Sequence, residues 1–261
     1  MKVALVQLDL AWEDPAVNRQ RAERRLREAA ALGARLVVLP EMFTCGFSMR
    51  ATAEAEGGET EAWMAEAAAG MDLWILAGVP QLSAEGRQNR AVLMSPTGAV
   101  QRYSKLHPFS MADEHHHYAP GSETVTWDVE GLRLTPFICY DLRFPEVFRA
   151  TAAHTDLYCV IANWPERRRA HWQALLLARA IENQAFVAGV NRVGDGDGLH
   201  YAGDSALVSP WGERIVSAAE AETVVVGEVS REAVANARLT FPVLNDRRPP
   251  VPHRTSSDSQ G

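Results

Sequence analysis

Three short segments of the chain carry residue types that can do chemistry together. Cys139 ends the apolar run Phe137-Ile138 and stands before Tyr140-Asp141-Leu142-Arg143-Phe144-Pro145-Glu146. A thiol at a strand-to-helix turn is open to a substrate, and backbone N–H groups around it can hold an oxyanion. The competing reading is a buried structural cysteine, a common fate for this residue. Glu41, in Leu39-Pro40-Glu41-Met42-Phe43, comes just after an apolar run, where α/β folds place active residues. Taken alone, it reads more simply as a surface or capping carboxylate. Lys105, in Tyr103-Ser104-Lys105-Leu106-His107, closes a strand and alone reads as a solvated edge charge. Taken one at a time, none of the three is decisive. A free thiol has a pKa of about 8.5 and needs an activating neighbour, and a carboxylate can serve as one by taking its proton.

The elements that must position these residues follow from the pattern. Val3 to Leu8 is apolar and β-prone. Asp14-Pro15 then reads as an N-cap with proline at the first helical position, and the helix runs to a stop at Gly33. Leu36-Val37-Val38-Leu39 is short and wholly apolar, as expected of a strand covered on both faces. This strand–helix–strand opening predicts an α/β layered fold. A helix over Glu59 to Ala69 ending at Gly70, and strands over Trp74 to Val79, Leu132 to Ile138, Leu157 to Ala162 and Phe186 to Asn191, continue the pattern. Helices are predicted around Pro145 to Ala153 and His171 to Asn183. Ser95-Pro96-Thr97-Gly98 joins a hairpin, and Ser209-Pro210-Trp211-Gly212 joins a second one that echoes it. The chain reads as one domain over residues 1–244. A polar, proline-rich tail over 245–261 is expected to be poorly ordered.

Composition narrows the classes. The net charge of -7 argues against nucleic acid as a partner. Arg167-Arg168-Arg169 is read as a solvated loop rather than a phosphate site. No apolar stretch approaches the ~20 residues needed to cross a membrane, and the N-terminus lacks signal-peptide anatomy. Three cysteines without CxxC spacing suggest reduced thiols in a cytoplasmic protein. Cys159, inside an apolar strand, and Cys45, which has no evident base, are expected to be structural. His115-His116-His117 is read as a pocket-rim loop rather than a metal site, because consecutive histidines in a strand would point to alternate faces and seldom converge on one ion. Asp195-Gly196-Asp197-Gly198 lacks the ligand spacing of a calcium loop and is read as a turn.

In order and spacing, Pro40-Glu41, Lys105-Leu106-His107 and Cys139 through Glu146 resemble the nitrilase superfamily of carbon–nitrogen hydrolases, from Val3 to about Phe241. Tyr140-Asp141 after the cysteine, Met111 through Tyr118, Ala162-Asn163-Trp164-Pro165, His171 through Leu175 and Ala178 through Gln184 are similar to the omega-amidase branch. Pro108, where many relatives have leucine, is a small departure. The resemblance implies a four-layer α-β-β-α sandwich that pairs into a homodimer. It also implies a Glu41–Lys105–Cys139 triad with Glu114 supporting, the Tyr140 N–H in the oxyanion site, and no metal or organic cofactor. The implied reaction is hydrolysis of small dicarboxylic acid monoamides, such as 2-oxoglutaramate and 2-oxosuccinamate, through a thioester. The implied role is disposal of such amides after transamination, as in methionine salvage. Another small amide or an N-carbamoyl compound is the alternative substrate, and a non-catalytic binding protein is the alternative class. The free carboxylate of the substrate needs a cation. Arg143 is the first candidate, against a salt bridge to Asp141 or Glu146. Tyr118 and Trp164 are candidates to shape the pocket, against plain packing.

Overall fold

The computed structural model describes residues 1–248. The expected tail lies for the most part outside the described residues. The first half of the chain runs β1 Lys2–Gln7, α1 Pro15–Ala31, β2 Leu36–Val38, β3 Glu54–Ala55, α2 Glu59–Met71, β4 Trp74–Ser83, β5 Gly86–Met94 and β6 Val100–Ser104. The second runs α3 Glu114–His117, β7 Trp127–Val129, β8 Leu132–Ile138, α4 Pro145–Thr151, β9 Leu157–Ala162, α5 Arg169–Asn183 and β10 Phe186–Asn191. The hairpin β11 Val193–Gly196 and β12 Leu199–Ala202 follows, then β13 Ala206–Val208, β14 Arg214–Ser217, β15 Thr223–Glu228 and α6 Arg231–Thr240.

These strands form two large sheets. One has the order β15-β1-β2-β4-β5-β6, with β3 paired to β4; the other is β14-β13-β10-β9-β8-β7. The central strands are apolar without alternation because both of their faces are covered. Val3 and Leu5 of β1, and Leu36 and Val38 of β2, join one core with residues of the second sheet such as Leu134, Phe137 and Val160. Their neighbours Ala4, Val6 and Val37 face the opposite way, into a second core with Ala22, Leu26 and Ala29 of α1 and Met64 and Ala68 of α2. On the far side of the second sheet, Trp172, Leu176 and Ala180 of α5 pack on its strands. The layers are therefore helix, sheet, sheet, helix, as expected.

Local chemistry explains how the site-bearing loops are held. Asp14 caps α1 by accepting a hydrogen bond from the Val17 N–H at 3.1 Å, with Pro15 following as the sequence suggests. One turn in, the buried Asn18 donates to Thr44 O at 2.8 Å and to Ala11 O at 2.7 Å, tying the loop after β2 to the helix. Gly78 of β4 lets that loop lie directly on the sheet. A Cβ there would stand 2.4 Å from the Glu41 Cα, so any larger residue would displace Glu41. Arg192 is fully buried and donates to Leu10 O and Asp195 O, fastening the β11–β12 hairpin beside the end of β1.

Most predicted elements appear with small shifts at their ends. Gly70 does not stop α2, which runs one residue further to Met71 and closes on Asp72 in the left-handed conformation. His115-His116-His117, read as a pocket-rim loop, are helical instead. They lie in the single turn of α3, where side chains three residues apart, such as Asp113 and His116, can share a side. Asp113, His115 and His116 bring potential ligand atoms within 4.8 Å of one another there, all on exposed residues. Of Asp195 to Gly198, read as a turn, Asp195 and Gly196 belong to β11, and only Asp197-Gly198 makes the turn that joins β11 to β12.

Candidate active site

The three chemical segments converge where β2, β6, β8 and β9 end. Each of these strands delivers its residue just beyond its carboxyl end, the usual place for a site in a layered α/β fold. Lys105 Nζ donates to Glu41 Oε1 at 2.9 Å and to Glu114 Oε2 and Oε1 at 2.8 and 3.1 Å. Lys105 is 1% exposed and both glutamates 0%, which rules out the solvated-edge and surface-carboxylate readings. One ammonium thus lies between two carboxylates, leaving the buried group with an excess negative charge.

Such burial is tolerated only where every charge is paired and hydrogen-bonded, and the neighbours provide this. The Asn89 side-chain amide donates to Glu41 Oε1 at 2.7 Å and to Glu114 Oε1 at 2.9 Å. The Asn163 N–H donates to Glu41 Oε2 at 2.8 Å, and its Nδ2 to Glu41 O at 2.6 Å. The Phe109 N–H donates to Glu114 Oε2 at 2.6 Å. Burial works against the ammonium, but Glu114 and Glu41 outweigh it and hold Lys105 above the usual lysine range.

Cys139 sits at the turn after β8 with φ of 46°, a left-handed conformation that side-chain-bearing residues rarely adopt. It is half-buried and opens onto the main cavity. Burial, then the Glu41 charge, push its thiol well above the usual range, with Lys105 pulling the other way. At neutral pH the sulfur therefore keeps its proton, and attack requires a base at the moment of reaction. The short 3₁₀ segment Cys139–Arg143 puts the Tyr140 N–H in its first turn, where amides lack an intrahelical partner.

Asp141 ties this turn to the lysine strand. Its Oδ2 accepts from Tyr103 Oη at 2.8 Å and from the Ile138 N–H at 3.0 Å; its Oδ1 accepts from the His107 N–H at 2.9 Å. His107 Nδ1 lies 2.8 Å from the same Oδ1 and must donate, since a carboxylate only accepts. Tyr103 and His107 flank Lys105, and Ile138 precedes Cys139. Asp141 therefore fixes the lysine and the thiol in one frame.

A cavity of about 380 Å³ opens above Cys139, within the range of small-molecule sites. Phe47, Arg143, Trp164, Arg168 and Tyr201 are among its walls. The Arg143 guanidinium lies 4.7 Å from the Trp164 ring centroid, and its Nη2 is 3.2 Å from His171 Nδ1, which must be the acceptor. Arg143 forms no salt bridge to Asp141 or Glu146 among the described residues. Tyr118, expected to shape the pocket, does not line it. It is buried behind the wall with Met42, Cys45 and Ala51, donates to Ser48 O at 3.0 Å and accepts from Arg87. Cys45 is buried beside it, and burial pushes its thiol up to about 12. Cys159 is buried within β9.

The sequence profile of the carbon-nitrogen hydrolase family matches residues 2–239. The chain belongs to the carbon–nitrogen hydrolase family. This carbon–nitrogen hydrolase is 43% identical to "Omega-amidase YafV" of Escherichia coli (strain K12) over 249 residues, 94% of this chain and 96% of that one. It is 32% identical to "2-oxoglutaramate amidase" of Bacillus subtilis (strain 168), over 94% and 97% of the two chains. The crystal structure of XC1258 from Xanthomonas campestris, described as a CN-hydrolase superfamily protein with an arsenic adduct in the active site, superposes with a TM-score of 0.91. That chain is 41% identical, with 97% of this chain and 99% of that one covered.

Sequence reasoning about this hydrolase missed Asn89, Asn163 and Arg168 as members of the site. Asn89 stands in β5 before the apolar run Ala91-Val92-Leu93-Met94, and its polar side chain there was the available signal. Asn163 lies in a quoted segment, but nothing local shows that its N–H reaches a carboxylate 122 residues away. The reading of Arg167-Arg168-Arg169 as one solvated loop is also incorrect, since Arg168 lines the cavity and Arg169 pairs with Asp204 at 2.5 Å. Among the described residues, no helix is long and apolar enough to cross a membrane.

Proposed function

We propose that this hydrolase is an omega-amidase that cleaves the terminal amide of small dicarboxylic acid monoamides, with 2-oxoglutaramate and 2-oxosuccinamate as the substrate type. The observation that carries the reading is Lys105 held between two buried carboxylates beside Cys139, at a cavity that also bears an arginine without a carboxylate partner among the described residues. Glu41 takes the Cys139 proton as the sulfur attacks the amide carbonyl carbon. The carbonyl oxygen becomes negative and is held by Lys105 and the Tyr140 N–H. An ammonium has three N–H bonds. One engages Glu41 and a second is shared between the two oxygens of Glu114, which leaves the third for the oxyanion. Glu41 then gives the proton to the leaving nitrogen, the carbon–nitrogen bond breaks, and ammonia departs from a thioester on Cys139. Glu41 next takes a proton from water as its oxygen attacks the thioester. The carboxylic acid leaves, and the sulfur regains a proton from Glu41. Glu114 orients Lys105 throughout. No step calls for a metal or organic cofactor.

Arg143 takes the free carboxylate of the substrate, and Trp164 shapes the wall against which the carbon chain lies. The names of the Escherichia coli and Bacillus subtilis relatives support this substrate type. We also read the protein as a cytoplasmic homodimer acting on 2-oxo-acid monoamides left by transamination. The exposed apolar side chains Ile181 and Trp211 support a surface that a second copy covers. Steady-state rates on 2-oxoglutaramate, succinamate and an N-carbamoyl amino acid test the substrate reading. Preference for the first two supports it; preference for the carbamoyl compound overturns it.

A further inference from the structure

The run Arg167-Arg168-Arg169 divides by environment. Arg169 is committed to Asp204 and Glu220, while Arg167 is exposed at the cavity rim. Arg168 is half-buried in the wall, its guanidinium 5.2 Å from the Phe109 ring centroid. Among the described residues, that guanidinium forms no hydrogen bond and no ion pair. Its main chain is well fixed, because the Arg168 carbonyl accepts from Trp164 Nε1 at 2.8 Å. The same indole carries the Arg143 guanidinium on its face at 4.7 Å. One tryptophan thus braces two arginines on a shared wall, and neither has a carboxylate partner among the described residues.

This arrangement is electrostatically incomplete. Burial, Arg167 and Arg143 all disfavour the charge on Arg168, with only Cys139 and Tyr201 opposing. Asp197, the acidic residue on the lining, is exposed and pairs with neither arginine. Two cations partly withdrawn from water beside each other cost free energy that an anion placed between them recovers. An aromatic face and a fork of donors on each guanidinium suit a planar carboxylate.

We propose that Arg168 is a specificity-determining residue that brackets, with Arg143, the free carboxylate of the substrate amide. The inference rests on the omega-amidase reading and deepens it. Selection would come from a pair of arginines, so that a neutral amide of the same length enters without the interaction that sets affinity.

Initial rates on succinamate and on butyramide, which has the same four carbons without the carboxylate, test this in wild type, Arg168→Met and Arg168→Lys. Methionine keeps an apolar stem against Phe109 and removes the charge. Arg168→Met is expected to raise KM for succinamate by about 10- to 100-fold, as for loss of a charged hydrogen bond. KM for butyramide should stay within about twofold of wild type, and kcat should change little on either. Arg168→Lys should recover part of the loss, since a point charge remains without the fork. An unchanged KM for succinamate in Arg168→Met, or an equal rise for both amides, overturns the role of Arg168 while leaving the omega-amidase reading intact. A wild type that shows no preference for succinamate over butyramide overturns both.

Discussion

The floor and the wall of the cavity are built on opposite principles. On the floor, Lys105, Glu41 and Glu114 are paired with one another and braced by Asn89, Asn163 and the Phe109 N–H. On the wall, Arg143 and Arg168 rest on aromatic rings without a counter-charge among the described residues. The floor is complete before substrate arrives, which suits groups that must act on a transition state without rearranging. In the proposed reading the wall is completed by the substrate, which suits groups that select it. The contrast makes separate predictions for the two regions: floor substitutions should damage kcat and stability, and wall substitutions should damage KM.

The largest effect should follow Glu41→Gln. Loss of a general base is expected to lower kcat about 10³-fold, measured as ammonia release. The thiol should respond in the opposite direction. Burial and the Glu41 charge raise the Cys139 pKa and Lys105 lowers it, so removing the Glu41 charge should move the midpoint of the pH–rate profile for iodoacetamide alkylation downward. A midpoint that rises would contradict the electrostatics described for the floor.

Lys105→Met should reduce kcat by about 10²- to 10³-fold through loss of an oxyanion donor. It should also destabilise the fold by about 3–5 kcal/mol in urea unfolding, because two buried carboxylates lose their shared cation. Arg143→Met is the wall's counterpart. It should raise KM for succinamate about tenfold and leave the unfolding midpoint close to wild type, since no buried partner is stranded. A large stability loss there would erase the distinction between the two regions. The smallest effect belongs to Tyr103→Phe, which removes one of the hydrogen bonds to Asp141. A loss of about 1 kcal/mol in stability with KM unchanged would place the Asp141 frame with the floor.

The layered fold was legible because its central strands are short and wholly apolar. Leu36 to Val38 is buried on both faces, and only packing between two layers explains that pattern. The turn at Cys139 was legible from an apolar strand meeting Tyr140-Asp141 and a proline-initiated helix. Glu41 and Lys105 were ambiguous one at a time, since a glutamate and a lysine at strand ends are usually solvated. Only the likeness of their order and spacing, together with the thiol segment, to the carbon–nitrogen hydrolases gave them meaning. Other members could not be read because their roles depend on distant partners. Asn89 in a strand gives no sign of bridging two carboxylates from other elements. Arg168 differs from Arg167 and Arg169 in which way the backbone turns it, a property absent from a run of three identical residues. Tyr118 was left open between pocket wall and plain packing, and the packing alternative holds, since the turn of α3 carries it behind the wall.

The central claim is that the floor delivers a nucleophilic thiol to an amide whose carboxylate the wall holds. Ammonia release from succinamate and 2-oxoglutaramate, measured for wild type and for Cys139→Ala of verified fold, tests it most directly. The account predicts turnover of both amides by wild type and none above background by Cys139→Ala. Turnover retained in Cys139→Ala would contradict it outright, and a folded wild type inactive on both amides would contradict the substrate assignment.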